Sequence, residues 1–339
     1  MKTILVTGAN GFVGEHTLNA LCNMQGVELI AACRDRTKLS HSFTGEVREG
    51  DIRDKDYLDQ LLDGVDVLVN AMAWSSLWGH KADSDRLFLQ PNLRLIDAFK
   101  RSGASKIVNI SSTSVSAPYV NFRQGLSKTE HRKTFHFWPH LNNVVNIENY
   151  LQREITSDKA VINLRLGLFA GQHYALGLLP ILVPRMKTHL VPWVEGGRTS
   201  MPIIDGRDIG QVMALAATNE TLCGYESIDV VGTTVPQVRD VIEYLSEQYH
   251  LPKPHFSVPF SIAYPFAWFM EKLDKIVPWE PLIVRSIIHL LEETGATNQG
   301  AIEKLGYKPL YHWKESIQVQ MKEMQLKQKN PMKMARPIA

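Results

Sequence analysis

The run Gly8-Ala9-Asn10-Gly11-Phe12-Val13-Gly14 comes directly after the apolar stretch Ile4-Leu5-Val6 and just ahead of the helical spacing of Leu18, Leu21 and Cys22. A strand that enters a helix through glycines at this spacing forms a phosphate-cradling turn. Gly8 permits the tight exit from the strand, Gly11 lets the backbone approach a pyrophosphate, and Gly14 lets the helix pack closely on the strand. The helix N-terminus then offers free N–H groups and a partial positive charge to the phosphates. A glycine turn also joins strand to helix for purely structural reasons. The strand before this one and the helical pattern after it make dinucleotide binding the expectation.

The first half of the chain alternates strand and helix. Strand-like runs fall at residues 3–6, 28–33, 47–50, 65–70, 106–110 and 161–164, with helical patterns at 13–24, 55–63, 84–102 and 142–156. The third helical pattern carries Leu87, Pro91, Leu95, Ile96 and Phe99 on apolar spacing and closes at Gly103. This rhythm predicts an α/β fold, a doubly wound, Rossmann-type parallel sheet covered on both faces. After Arg165 the character changes: residues 166–202 are rich in Gly, Pro, Leu and Trp, and include Glu195-Gly196-Gly197-Arg198. An apolar strand after Met201 and a helix from near Asp208 are expected to return the chain to the sheet, followed by a strand at 228–231. The resulting division is a dinucleotide-binding domain at 1–165 with a return segment at 203–232. A smaller, mostly helical C-terminal substrate lobe takes 166–202 and 233–325, and a flexible tail takes 326–339.

Composition excludes several classes. With 339 residues, 44% apolar, 21% charged and a net charge of +2, the chain has an ordinary globular balance and no basic stripe, so nucleic acid is not an expected partner. No apolar run reaches the roughly 18 residues that a transmembrane helix needs. The first strand-like run starts at residue 3, which leaves no room for a signal peptide ahead of it, and a cytoplasmic location is the expectation. Cys22, Cys33 and Cys223 are widely separated and read as buried reduced thiols without metal spacing. His131, His136 and His140 do not share one helix face and have no carboxylate pair, so no metal site is expected.

At the end of the second strand stands Cys33-Arg34-Asp35-Arg36. An NAD-preferring turn places a carboxylate here for the ribose 2′-hydroxyl, whereas an NADP-preferring turn supplies arginine for the 2′-phosphate. Arg34 and Arg36 flank Asp35, and guanidinium groups match phosphate by paired, charge-assisted hydrogen bonds. NADP is the expected cofactor. NAD stays open, since Asp35 could turn inward.

With these residues in place the chain resembles the extended short-chain dehydrogenase/reductase family, in its branch of NAD-dependent epimerases and dehydratases, dihydroflavonol-type reductases and 3β-hydroxysteroid dehydrogenases. The marks are Thr7 to Gly14, Gly50-Asp51-Ile52, Asn70-Ala71-Met72-Ala73, Asn92, Ile110-Ser111-Ser112, Leu164-Arg165-Leu166-Gly167, Ile204 to Asp208, and Lys304 to Pro309. The resemblance implies cofactor contacts from Gly8, Asn10, Gly11, Phe12, Val13 and Gly14, and from Met72 and Asn92. It implies that Asp51 accepts from the adenine amino group with Ile52 against the ring, and that Ala71 and Ala73 are small enough for the cofactor to cross the strand ends. Ser112 matches the serine that hydrogen-bonds the reacting oxygen of the substrate, although a serine also caps a strand end on its own account.

One departure stands out. The family places a tyrosine, with a lysine four residues on, along the helix after the serine strand; the ammonium lowers the phenol pKa and grips the nicotinamide ribose. This chain has no Tyr-x-x-x-Lys. Counting back from Glu148 puts His140 at the tyrosine position and Val144 at the lysine position, while the nearest tyrosines, Tyr119 and Tyr150, lack the lysine. The proton donor is therefore open among His140, Thr113 and a bound water. The segment Phe135 to His140 reads either as an apolar lid or as a packing element. The Phe-, Trp-, Ile- and Leu-rich stretch 256–291 reads as core, with the wall of an apolar substrate pocket as the alternative. Arg185, Lys187, Arg198 and Arg207 are surface charges by default, or contacts to an anionic substrate.

These readings point to an NADP-dependent oxidoreductase acting on a carbonyl or hydroxyl group of a small molecule, with an atypical proton donor. Two alternatives remain: a catalytically silent NAD(P)-binding sensor or scaffold, and a non-redox epimerase- or dehydratase-like enzyme. A homodimer is implied by the resemblance alone.

Overall fold

The computed structural model describes residues 1–40, 42–117, 136–155, 158–273, 281, 283–292 and 295–329. Strands β1 (Lys2–Thr7), β2 (Val27–Cys33), β3 (Glu46–Glu49), β4 (Val67–Asn70), β5 (Lys106–Ser112) and β6 (Ala160–Leu166) occupy the first half. They are followed by β7 (Leu168–Ala170), β8 (Trp193–Val194), β9 (Ile203–Asp205), β10 (Tyr225–Val230) and β11 (Ser257–Val258). Seven of these make one parallel sheet in the order β3-β2-β1-β4-β5-β6-β10. The order reverses between β1 and β4. A doubly wound sheet opens its ligand crevice at such a reversal, beyond the carboxyl ends of the strands.

The helices are α1 (Phe12–Leu21), α2 (Lys55–Leu61), α3 (Lys81–Ser84), α4 (Gln90–Arg101), α5 (Pro139–Glu154), α6 (Leu178–Met186), α7 (Gly206–Thr218), α8 (Val238–Tyr249), α9 (Phe260–Leu273), α10 (Arg285–Leu290), α11 (Gln299–Leu305) and α12 (Trp313–Lys329). Because β1 is buried on both faces its apolar run is continuous, and its side chains alternate between two layers. Ile4 and Val6 meet Leu18, Ile209 and Met213 of α1 and α7 on one face. Leu5 meets Leu58, Leu95, Phe99 and Leu141 of α2, α4 and α5 on the other. The helical pattern expected at 84–102 begins earlier, at α3, and runs through a π turn at Asp85–Leu89 into α4.

Three expectations are corrected here. The apolar run after Met201 does not join the main sheet. As β9 it pairs with β7 in a separate two-stranded sheet, and the chain regains the main sheet only at β10. Of the cysteines only Cys33 is buried; Cys22 and Cys223 are exposed. Cys22 sits at the C-cap of α1, beyond the turn whose inner face reaches the core. The aromatic stretch from residue 256 is not core throughout, as Phe256, Ile262, Phe266, Trp268 and Phe269 are all exposed. An apolar helix does not declare from its composition which of its faces is covered, and α9 buries only Ala263, Tyr264, Ala267 and Glu271.

The C-terminal residues build a third core around Leu179, Val183, Met186, Val241, Leu245, Trp313 and Ile317, and a fourth around Val194, Ala263, Ala267 and Ile288. α10 fastens this part to the sheet domain: Ser286 donates to the Leu77 carbonyl, and His289 Nε2–H donates to the Ser114 carbonyl at 3.0 Å. No helix among the described residues is long and apolar enough to cross a membrane.

Candidate functional site

The glycine turn lies at the carboxyl end of β1, beside the reversal of strand order. Gly8 has φ +61°, and a Cβ there would stand 2.6 Å from the Ala71 carbonyl oxygen, so neither the backbone conformation nor the space admits a side chain. A Cβ on Gly14 would collide with the Gly8 carbonyl, which is the close packing of helix on strand. Gly11 is the N-cap of α1 and no side chain caps that helix. The first-turn N–H groups, from Phe12 onward, therefore face the crevice without an internal acceptor. Asn10 reaches across to the Asp35 carbonyl at 3.3 Å, Val13 is buried in the core, and the Phe12 ring packs on Tyr174 and Phe169, with centroids 4.5 and 5.8 Å away.

At the end of β2 the acid and the arginines separate. Asp35 caps a short turn, accepting from Thr37 N at 3.0 Å and Thr37 Oγ1 at 2.6 Å, and pairs with Lys38 at 3.3 Å. The Thr37 hydrogen bonds hold its carboxyl below the usual carboxylate range. Arg34 and Arg36 are exposed. Asp51 is gripped by Arg53, whose Nη2 lies 2.5 Å from Oδ2, and that pairing holds the carboxyl low. Ile52 and Met72 pack at the edge of the second core, Ala71 is buried and Ala73 is exposed.

Beneath these strand ends lies a polar ladder that sequence reading missed. Thr7, Asn70, Asn109 and Asn163 occupy the same register position on β1, β4, β5 and β6. Thr7 Oγ1 donates to Asn70, which donates to Asn109 at 2.9 Å and to Asn92 at 2.7 Å; Asn109 donates to Asn163 at 2.8 Å. Asn163 donates to Glu148 of α5 at 2.8 Å, and Ser111 donates to the same carboxylate. Arg165 closes the ladder with Nε and Nη2 at 3.0 and 2.7 Å from Glu148. Burial acts to raise the Glu148 carboxyl, but Arg165, Ser111 and Asn163 outweigh it and hold it low. The available signal was an asparagine three residues into β5 and again three residues into β6, in runs otherwise apolar.

The expected catalytic residues occupy different settings. Ser112 sits at the end of β5, half-buried, and its Oγ accepts from Ser114 N at 3.2 Å, a cap on the following turn. Thr113 is buried. His140 lies in the first turn of α5 against the rings of Phe88 and Trp74, at 4.8 and 6.1 Å between centroids, and its Nδ1 has no hydrogen-bond partner. Burial pushes the imidazole down to about 4, so it is neutral at pH 7. Val144, one turn further, is buried in the second core. Tyr119, His131 and Phe135 lie outside the described residues, as does the end of the tail from 330.

The residues present fit a dinucleotide: an uncapped helix start, a side-chain-free exit backed by Ala71, and two exposed guanidinium groups beside an acid already occupied. The family model for the NAD dependent epimerase/dehydratase family matches residues 4–228. A search of curated proteins by sequence finds no match. Among solved structures, UDP-glucuronic acid 4-epimerase from Bacillus cereus, in complex with UDP-glucuronic acid and NAD, is 18% identical, with 96% of this chain and 99% of that one covered at a TM-score of 0.67. The Bordetella bronchiseptica enzyme WbmG in complex with NAD and UDP is 16% identical over 98% and 99%, at a TM-score of 0.67. ADP-L-glycero-D-manno-heptose-6-epimerase from Helicobacter pylori is 17% identical over 96% of each chain, at 0.64. At such identities the likeness is one of fold.

Proposed function

The chain belongs to the NAD dependent epimerase/dehydratase family, and from that premise we propose that it binds a dinucleotide across the carboxyl ends of β1, β2 and β4, with NADP preferred to NAD. The observation that carries this reading is the turn at Gly8, held at φ +61° against the Ala71 carbonyl, with the uncapped start of α1 above it. The NADP preference rests on Asp35, whose carboxylate is taken up by Thr37 and Lys38 while Arg34 and Arg36 stay exposed.

Within the family we assign the chain to epimerase-type chemistry on a nucleotide sugar, the ligand class in the Bacillus cereus complex. The nicotinamide, when bound, supplies a hydride acceptor that can return what it takes. Ser112 orients the reacting oxygen, and the buried pair Glu148–Arg165 holds α5 against β5 and β6. A second reading, a binder without turnover, is favoured by one observation. His140 is neutral at pH 7 and Val144 carries no charge, so these two positions offer neither an imidazolium proton nor a cation to lower a phenol pKa.

A turnover screen separates the two. The full chain with saturating NADPH or NADP is incubated with UDP-sugars and the products resolved by chromatography. Interconversion at one carbon supports the enzyme. Cofactor binding without conversion of any sugar in the panel assigns the chain to the silent class. His140→Tyr with Val144→Lys then tests the helix placement, because a correctly placed pair raises turnover.

A further inference from the structure

The exposed side of α9 is as apolar as its buried side. Ala263, Tyr264, Ala267 and Glu271 line the inner face. At 100° per residue the outer arc carries Trp268, Ser261, Lys272, Pro265, Phe269, Ile262, Leu273 and Phe266 in angular order. On that arc Ile262 is 59% exposed, Phe266 and Phe269 are each 51% exposed and Trp268 is 48% exposed. Single exposed apolar residues are ordinary, but Phe269, Ile262 and Phe266 lie together on this arc, with Trp268 at its far edge beyond Lys272. Phe256, the residue before β11, is 50% exposed as well.

Cations border this face at both ends, and among the described residues the carboxylates beside it are already engaged. Lys272 lies on the outer arc with its ammonium 5.6 Å from the Trp268 ring centroid. Glu271, the acid of the helix, is turned inward and bonded to Arg285 at 2.8 and 2.7 Å. At the other end, a cavity of about 350 Å³ is lined by Glu195, Gly196, Arg198, Arg239, Ser257 and Pro259, next to the first residue of α9. Its acid is also engaged, since Glu195 accepts from Phe260 N at 2.8 Å. Arg198 is exposed and bonds a carbonyl, that of Glu195, at 3.3 Å. Arg239 lies over the Trp193 ring at 4.5 Å, donates to the Gly196 carbonyl at 3.2 and 2.9 Å, and has Glu243 at 3.3 Å.

We propose that the outer face of α9 docks on an anionic lipid bilayer, with Ile262, Phe266 and Phe269 in the interface and a phosphate headgroup received at Arg198 and Arg239. A flat aromatic helix with cations at both ends fits that surface. Large rings enter the acyl boundary, Trp268 stays at headgroup depth, and the guanidinium groups meet phosphate. A protein partner or a second copy would require a complementary apolar surface; the bilayer requires only this face and its charges.

The full chain is sedimented with vesicles of phosphatidylcholine alone and with vesicles in which about one-third is phosphatidylglycerol, at low and high salt. The expected result is a partition about tenfold higher onto the anionic vesicles, weakened by salt. It should be lost in Phe266→Asp with Phe269→Asp and reduced several-fold in Arg198→Glu, a surface change that leaves the helix intact. A wild type that stays in solution with both compositions overturns the proposal. So does binding that none of these substitutions alters. Light scattering decides against it as well if the wild type is a dimer that the Phe266/Phe269 variant dissociates while neither binds vesicles, since the face is then a self-interface.

Discussion

Glu148 of α5 takes two hydrogen bonds from Arg165 of β6, at 3.0 Å from Nε and 2.7 Å from Nη2, with both side chains buried. The contact fixes how α5 lies against the carboxyl ends of the central strands. It thereby fixes where Val144 and His140, one and two turns toward the N-terminus of α5, stand relative to those strand ends. The pair also ends the amide ladder that starts at Thr7, next to the glycine turn.

Breaking this pair from one side should be costly. Arg165→Met leaves a buried carboxylate with no counter-charge, and the expected loss in urea unfolding is about 3–5 kcal/mol. A loss under about 1 kcal/mol would mean that water reaches Glu148.

The ladder makes a separate demand. Asn109→Ala removes the acceptor of Asn70 and the donor to Asn163, and each unsatisfied buried group costs about 1–3 kcal/mol. Combining it with Asn163→Ala should cost less than the sum of the two singles, because the second change removes a group that the first left unpaired. Strict additivity in a double-mutant cycle would show that the row is not coupled.

His140 gives the acid limb of the stability curve a defined sign. Its folded pKa, about 4, lies below the unfolded 6.5, so the unfolded chain binds more protons between those values. Stability is full above about 6.5 and falls as pH drops toward 4, by at most roughly 3 kcal/mol from this group. In His140→Phe that contribution disappears, and its unfolding free energy should change less than that of the wild type over the same window. Parallel acid limbs would place the ring in water.

Cofactor preference has its own variant. Arg34→Ala should weaken NADPH by about tenfold or more and leave NADH within about a factor of two, as expected for a guanidinium that meets only the 2′-phosphate. Equal losses for both dinucleotides would remove the basis for an NADP preference.

Much of this was legible in the sequence because it depends on local rules. The glycines at 8, 11 and 14 allow few alternatives in their backbone, and strands buried on both faces have to be continuously apolar, so the sheet and its crevice follow. The exposed face of α9 was not legible, since Phe266 and Phe269 carry the same hydrophobic signal in a core or on a surface. The pairing of Ile203–Asp205 with Leu168–Ala170, away from the main sheet, is set by contacts far apart in the chain. Within the site, Asn109 and Asn163 were hidden because their meaning lies in a shared register, which appears only once the strands are paired. That Asp35 turns its carboxylate to Thr37 was hidden as well, because the sequence does not show which way a side chain at a strand end points.

The measurement that bears most directly on the account is a calorimetric titration of the full chain with NADPH and with NADH. Saturable binding of one dinucleotide per chain, tighter for NADPH, is the predicted result. No heat from either, or a clear preference for NADH, would contradict it.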